Sequence, residues 1–139
     1  MDGKLVGDDP FPRCAGSRPV VSHIHAPDLT GVAVGRVKPG VTLVRVRGEV
    51  DLLTAPLLRA ELDYQVDLMP SVLIIDLTGV TFFGVSGVEV LIGVYQRARR
   101  IEILLRLVAN TRAVTRMVKI LQLNRLFPIY HELADALAG

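Results

Sequence analysis

The run Val72-Leu73-Ile74-Ile75-Asp76-Leu77 constrains the fold more than any other part of the chain. Nearly every side chain in it is apolar, so a strand built from it has no face suited to water and must be covered on both sides. Strands of that kind sit inside sheets with parallel neighbours and helical crossovers. The run is too short to cross a membrane, and Ile101–Ala109, the other long apolar stretch, is broken by Glu102 and Arg106. With 139 residues, half of them hydrophobic, the chain has the size and the apolar content for one core and little room for a second domain.

The segments around this run alternate as such a sheet requires. Residues 1–30 contain Pro10, Pro12, Pro19 and Pro27 without helical or strand period and read as an irregular N-terminal arm, leaving 31–139 as the domain. Gly31–Val37 and Val41–Gly48 flank Lys38-Pro39-Gly40 and predict a hairpin. Val44 and Val46 alternate with Arg45 and Arg47, which predicts a strand near a sheet edge. Thr54-Ala55-Pro56 predicts a capped helix start, with Leu58, Leu62 and Val66 on its inner stripe and Met69-Pro70 as its stop. After the buried run, whose strand is expected to close near Asp76, come a loop, a helix over 86–99 and a strand over Ile101–Ala109. A helix follows over Thr111–Leu121, with Val114, Val118 and Leu121 inward and Arg112, Arg116 and Lys119 on another face. Leu126–Tyr130 predicts a short edge strand and His131–Leu137 a last short helix. The fold class is therefore α/β: an N-terminal antiparallel hairpin joined to mainly parallel strands, flanked by about four helices.

Charge is unevenly spread. Residues 1–93 hold eight Lys/Arg against eleven Asp/Glu, and residues 94–139 hold eight against three, so a net +2 conceals an acidic front and a basic back. With no Trp and few aromatics, the basic third lacks the stacking residues of a nucleic-acid surface. The Arg112, Arg116 and Lys119 face reads as a solvated helix side or, alternatively, as a contact for an acidic partner with salt-sensitive binding. Cys14 excludes an internal disulfide, and in the arm it reads as an unreactive thiol. Asp2, Lys4, Asp8 and Asp9 break any apolar leader, so a cytoplasmic protein is expected.

Chemistry is sparse. The phosphate-binding loop G-x-x-x-x-G-K-[ST] and the dinucleotide fingerprint G-x-G-x-x-G after a strand are both missing. His23 and His25 have no third ligand at useful spacing, so neither a metal nor a cofactor is expected. What stands out is Asp76–Glu89, where a strand, a turn and a helix start meet at the edge at which open α/β sheets carry their working groups. Ser86 and Glu89 form S-x-x-E, a capping box, so the plainest role of Ser86 is to cap the helix. Three further roles compete. A nucleophilic serine would make a hydrolase, but Gly84-Val85-Ser86-Gly87-Val88 misplaces the last glycine of the elbow, and the base would have to be His131. A phosphoacceptor at Asp76 lacks the acidic pair and the lysine of a receiver. Ser86 as a phosphorylated switch suits a helix N-terminus, and the added charge would oppose docking on Phe82, Phe83, Val85 and Val88.

Gly48-Glu49-Val50-Asp51, Thr54-Ala55, Asp76-Leu77-Thr78-Gly79-Val80 and Ser86-Gly87-Val88 together resemble a STAS domain, and within it the bacterial anti-sigma factor antagonists. The resemblance spans about 31–137 and extends through Leu123-Asn124-Arg125-Leu126-Phe127. It implies a non-enzymatic protein that binds an anti-sigma factor, itself a serine kinase, and so frees a sigma factor. It further implies phosphorylation of Ser86 that breaks the complex. The binding surface it implies comprises Asp51, Thr54, Phe82, Phe83, Gly84, Val85, Gly87 and Val88, with Asp51 near Ser86. A weak homodimer is compatible with the resemblance, and neither direct nucleic-acid contact nor a membrane is implied. The family usually reads Asp-Ser-Ser-Gly or Asp-Ser-Thr-Gly where this chain has Gly84-Val85-Ser86-Gly87, so the acid and the first hydroxyl are missing and the acceptor position is kept. A constitutive binder is one consequence of that departure. The alternative within the family is a STAS subunit of a transporter or stress-sensing assembly with another partner.

Overall fold

The structure, a computed structural model, describes residues 20–22 and 29–139. Six strands form one sheet in the order of the chain: β1 (Val20–Ser22), β2 (Leu29–Lys38), β3 (Val41–Val50), β4 (Val72–Phe83), β5 (Leu104–Val108) and β6 (Ile129–Tyr130). The pairs β1/β2 and β2/β3 are antiparallel, and β3/β4, β4/β5 and β5/β6 are parallel. Among the described residues the helices are α1 (Ala55–Asp67), α2 (Val85–Arg100), α3 (Arg112–Leu121) and α4 (Leu133–Ala138), with a 3-10 turn at Leu123–Arg125. This is the mixed α/β architecture that the sequence predicts.

Layering follows from topology. Each parallel crossover steps to the next strand in the same direction, and right-handed crossovers then put α1, α2 and α3 on one face. Their inward residues, among them Leu58, Leu62, Val88, Leu91, Val94 and Val114, meet Val44, Val46, Leu73, Ile75, Leu77 and Leu107 in the main core. On the opposite face α4 is, among the described residues, the one helix that provides a cover, and Ala136, Leu133 and Leu137 close a smaller cluster over Val41, Leu43, Val72 and Ile74. Residues 72–77 are thus buried on both sides, as their composition demands.

Several expectations are corrected. β3 is not near an edge but lies between β2 and β4. Its arginines point to the sparsely covered face, where Arg45 Nε lies 2.9 Å from the buried Asp76 Oδ2. That contact is an ion pair off the line of a hydrogen bond, while Oδ1 accepts from the Thr78 amide at 2.9 Å. A charge placed against Asp76 is what allows a carboxylate inside a buried strand. β4 does not close near Asp76 but runs on to Phe83, with register shifts against β3 between Arg45 and Arg47 and between Gly48 and Glu49. Ile101 caps α2 instead of opening β5, and Glu102 turns the chain with a positive φ of 61°. Leu121 is 45% exposed, not inward. The segment 1–30 is not wholly irregular, since it contains β1 and the first residues of β2. Cys14, His23 and His25 lie outside the described residues.

Candidate functional site

Two chain turns meet at the carboxyl ends of β3 and β4. Glu49 pairs with Phe82 and Val50 with Phe83, and the Gly84 amide donates to the Val50 carbonyl at 3.0 Å. The turn leaving β3 (51–54) and the junction leaving β4 (84–86) are thereby held side by side.

The first turn is built by Asp51 and Thr54. Asp51 Oδ1 accepts from the amides of Leu53 and Thr54, both at 3.0 Å, and the Thr54 hydroxyl accepts from the Asp51 amide at 2.9 Å. The hydroxyl proton faces the Glu49 carbonyl at 3.0 Å and Asp51 Oδ1 at 3.1 Å. The N-cap is Thr54, as predicted, with Pro56 in the first turn, but its hydroxyl turns back to the strand end and makes no side-chain cap, while the Ala55 amide donates to the Asp51 carbonyl at 2.8 Å. The Thr54 amide foremost, with its hydroxyl and the Leu53 amide, holds the Asp51 carboxyl below the usual range against an opposing desolvation.

At the second turn the strand-to-helix passage is a single residue. Gly84, extended at φ −90° and ψ −178°, occupies the N-cap of α2 without a side-chain cap. Ser86 therefore sits inside the first turn, and the capping box with Glu89 does not form, because β4 persists to Phe83 and moves the cap forward by two residues. The amides of Gly87 and Val88 return to the Gly84 carbonyl at 3.0 and 3.3 Å. Those of Val85 and Ser86 find no protein acceptor among the described residues, which leaves two donors at the positive end of the helix dipole. Ser86 is half-buried, and no described side chain hydrogen-bonds its hydroxyl, so no base is coupled to it for a nucleophile. Asp76 is mid-strand, buried and ion-paired, unlike an exposed phosphoacceptor at a strand end.

The residues singled out by the sequence divide into two groups. Phe83, Gly87, Val88 and Thr54 are buried and hold the turns together. A Cβ on Gly87 would lie 2.6 Å from the Phe83 ring and 2.9 Å from Val50 Cγ1, so the glycine is what lets α2 sit directly on the strand ends. Asp51, Phe82, Gly84, Val85 and Ser86 reach the surface to varying degrees. Beside them the structure adds residues that the sequence reading missed. Leu52 is 82% exposed, Leu53 68% and Leu57 39%, next to Phe82 at 49% and Val85 at 61%. The signal was available in Leu52-Leu53, two large aliphatics in the short turn between a strand and a helix start. The two adjoining turns thus expose several large apolar side chains together with the Asp51 carboxylate and the half-buried Ser86. Among the described residues no group of three or more His, Cys, Asp or Glu is arranged to hold a metal ion, and no helix is long and apolar enough to cross a membrane.

The mixed sheet with α1, α2 and α3 layered on one face goes with a family match, the STAS domain family model covering residues 33–136. The chain belongs to this family and, within it, to the anti-sigma factor antagonists, which are regulators and not enzymes. It is 31% identical over 114 residues to the anti-sigma-F factor antagonist RsfB of Mycobacterium tuberculosis, covering 82% of this chain and 92% of that protein. The crystal structure of an anti-sigma factor antagonist from Mycobacterium paratuberculosis superposes with a TM-score of 0.70 at 29% identity, over 92% of this chain and 97% of that one. The unphosphorylated form of the antagonist SpoIIAA shares the fold, with a TM-score of 0.65 at 16% identity over 77% and 93% of the two chains.

Proposed function

We propose that this chain binds an anti-sigma factor of the serine-kinase type, releases the sigma factor it holds, and is switched off by phosphorylation of Ser86. The observation that carries this reading is the exposure of Leu52, Leu53, Leu57, Phe82 and Val85 on the adjoining turns and helix starts beside Ser86, in a chain whose mycobacterial relative is an anti-sigma-F factor antagonist. Large exposed aliphatic and aromatic side chains gathered on adjoining turns suit a protein-binding surface. Docking buries them, and each contributes about 1.5–3 kcal/mol where burial is complete.

Ser86 makes the face reversible. The unpaired amides of Val85 and Ser86 favour a phosphate at this helix start within the free protein. The same phosphate brings about −1.5 to −2 charges onto a surface whose partner must be apolar. The bound state has to desolvate that charge or meet it with a cation, whereas the free state leaves it in water. The balance thus shifts toward dissociation. Gly84 and Val85 remove the acid and the first hydroxyl usual in the family, leaving Ser86 as the sole hydroxyl of the turn and Val85 as an additional apolar contact. The proposed site of action is the cytoplasm.

The test is binding of the purified chain to the kinase-type anti-sigma factor of its own genome, with and without ATP. Wild type is expected to gain one phosphate-sized mass at Ser86 and to lose affinity. Ser86→Ala is expected to bind irrespective of ATP, and Ser86→Asp to bind at least about tenfold more weakly, the equivalent of about 1.4 kcal/mol. No mass gain in wild type removes the switch, and unchanged binding by a Leu52→Ala/Leu53→Ala variant removes the face.

A further inference from the structure

A second surface stands on α3. Between Glu102 and Glu132 the chain has no acidic residue and five cations. Arg106 is engaged, donating to the Ala136 carbonyl at 3.0 Å. Arg112, Arg116, Lys119 and Arg125 are exposed, and among the described residues none forms an ion pair. On α1, by contrast, the outward Arg59 is paired with Asp63 at 2.9 Å, as a solvated helix face ordinarily is.

Apolar side chains accompany these unpaired cations. Ile120 is 66% exposed and, with Arg112 and Arg116, recurs every fourth residue along one stripe. Leu121 and Leu126 extend the apolar end at 45% and 41% exposure. The ridge is fixed from below by buried Val114, Leu123 and Phe127, and its start is tied to β4 by the Thr111 hydroxyl donating to the Val80 carbonyl at 3.2 Å. A partner docking here orders little that is not already ordered.

We infer that the α3 ridge is a docking surface for an acidic, amphipathic helix of a protein partner, its carboxylates meeting Arg112, Arg116 and Lys119 and its aliphatic side chains meeting Ile120, Leu121 and Leu126. Charge complementarity selects this occupant. A membrane surface calls for an apolar stripe along the helix, whereas here the exposed aliphatics are confined to one end of ten residues. The inference does not depend on Ser86 or on the face around it.

The probe is a synthetic helical peptide with Glu and Leu at four-residue spacing, titrated into the full chain labelled for amide NMR. A scrambled peptide of equal composition and vesicles of anionic phospholipid serve as comparisons. Shifts are expected in α3 and Leu123–Leu126, with affinity falling about tenfold between about 50 and 300 mM salt. Arg112→Gln/Arg116→Gln, which keeps helix propensity, is expected to lose about tenfold, and Arg99→Gln/Arg100→Gln to keep wild-type affinity. The inference is overturned by equal binding of the scrambled peptide, equal losses in both variants, an absence of shifts on α3, or preference for vesicles.

Discussion

Asp51 shows how much a single side chain can organise. Its carboxylate ties two amides of the turn that carries Leu52 and Leu53, so the residue that braces the approach to α1 also fixes the most exposed part of the proposed docking face. Those bonds favour the ionised form, so the folded-state pKa lies below that of an ordinary aspartate. A depressed carboxyl pKa contributes stability that is complete above the unfolded value and is lost as pH falls through the folded one. Asp51→Asn retains the accepting oxygen and removes the charge. Denaturation midpoints are expected to favour wild type over Asp51→Asn at pH 6 and to converge as the pH is lowered below the range of an ordinary aspartate. A gap independent of pH refutes this account of the turn. The role was hard to read in the sequence because Thr54-Ala55-Pro56 is itself a good helix start. Thr54 does hold the N-cap, but its hydroxyl bonds back to the Asp51 amide and the Glu49 carbonyl, a choice that backbone geometry makes and that no local pattern shows.

The elements at the site meet with little slack. Between β4 and α2 there is one residue, and the first turn of α2 rests on Phe83 and Val50. Gly87→Ala would gain helix propensity yet force a methyl into those side chains, an overpacking that costs about 1–3 kcal/mol. A Cβ on Gly84 meets the half-exposed Phe82 ring at 3.3 Å, which can swing outward. Denaturant titration is therefore expected to find Gly87→Ala clearly destabilised and Gly84→Ala within about 0.5 kcal/mol of wild type. Equal effects refute direct seating of α2 on the strands. At its other end α2 is held by Arg97, which donates to the Asp63 carbonyl at 3.0 Å and to its carboxylate at 3.2 Å and also reaches Asp67, so α1 and α2 carry their site-forming starts as a pair. β4 shows where a sequence reading stops short. Asp76, Thr78, Gly79 and Thr81 look like a strand end and a loop, but register shifts against β3 accommodate them and the ladder continues.

Across the whole molecule the alternation of buried runs and amphipathic segments was enough to give the order of the elements and the mixed sheet, because both signals are local. What stayed hidden depended on partners distant in sequence. Arg45 and Arg47 looked like a wet edge because the carboxylate facing Arg45 comes from β4, and the exposure of Leu52 and Leu53 depends on no described segment folding over them. The one-sided helical layer depends on strand order, which no local pattern encodes. It gives α4 a large role for six residues. Lys38 Nζ donates to the Leu137 carbonyl at 2.8 Å, Arg106 Nη1 to that of Ala136 at 3.0 Å, and beneath them Leu43 and Ile74 are fully buried. Deletion of 133–139 is expected to lower the thermal midpoint and raise binding of an apolar dye, with Leu43 and Ile74 each losing up to about 1.5–3 kcal/mol of burial. Unchanged dye binding counts against α4 as the cover. In the cell the same asymmetry becomes a matter of timing. On a ribosome the helical face closes crossover by crossover as each strand emerges, while the strip of Val41, Leu43 and Ile74 waits for α4, which is synthesised after all six strands. Until α4 docks, the nascent chain is expected to show that apolar strip to chaperones and to its neighbours on the polysome.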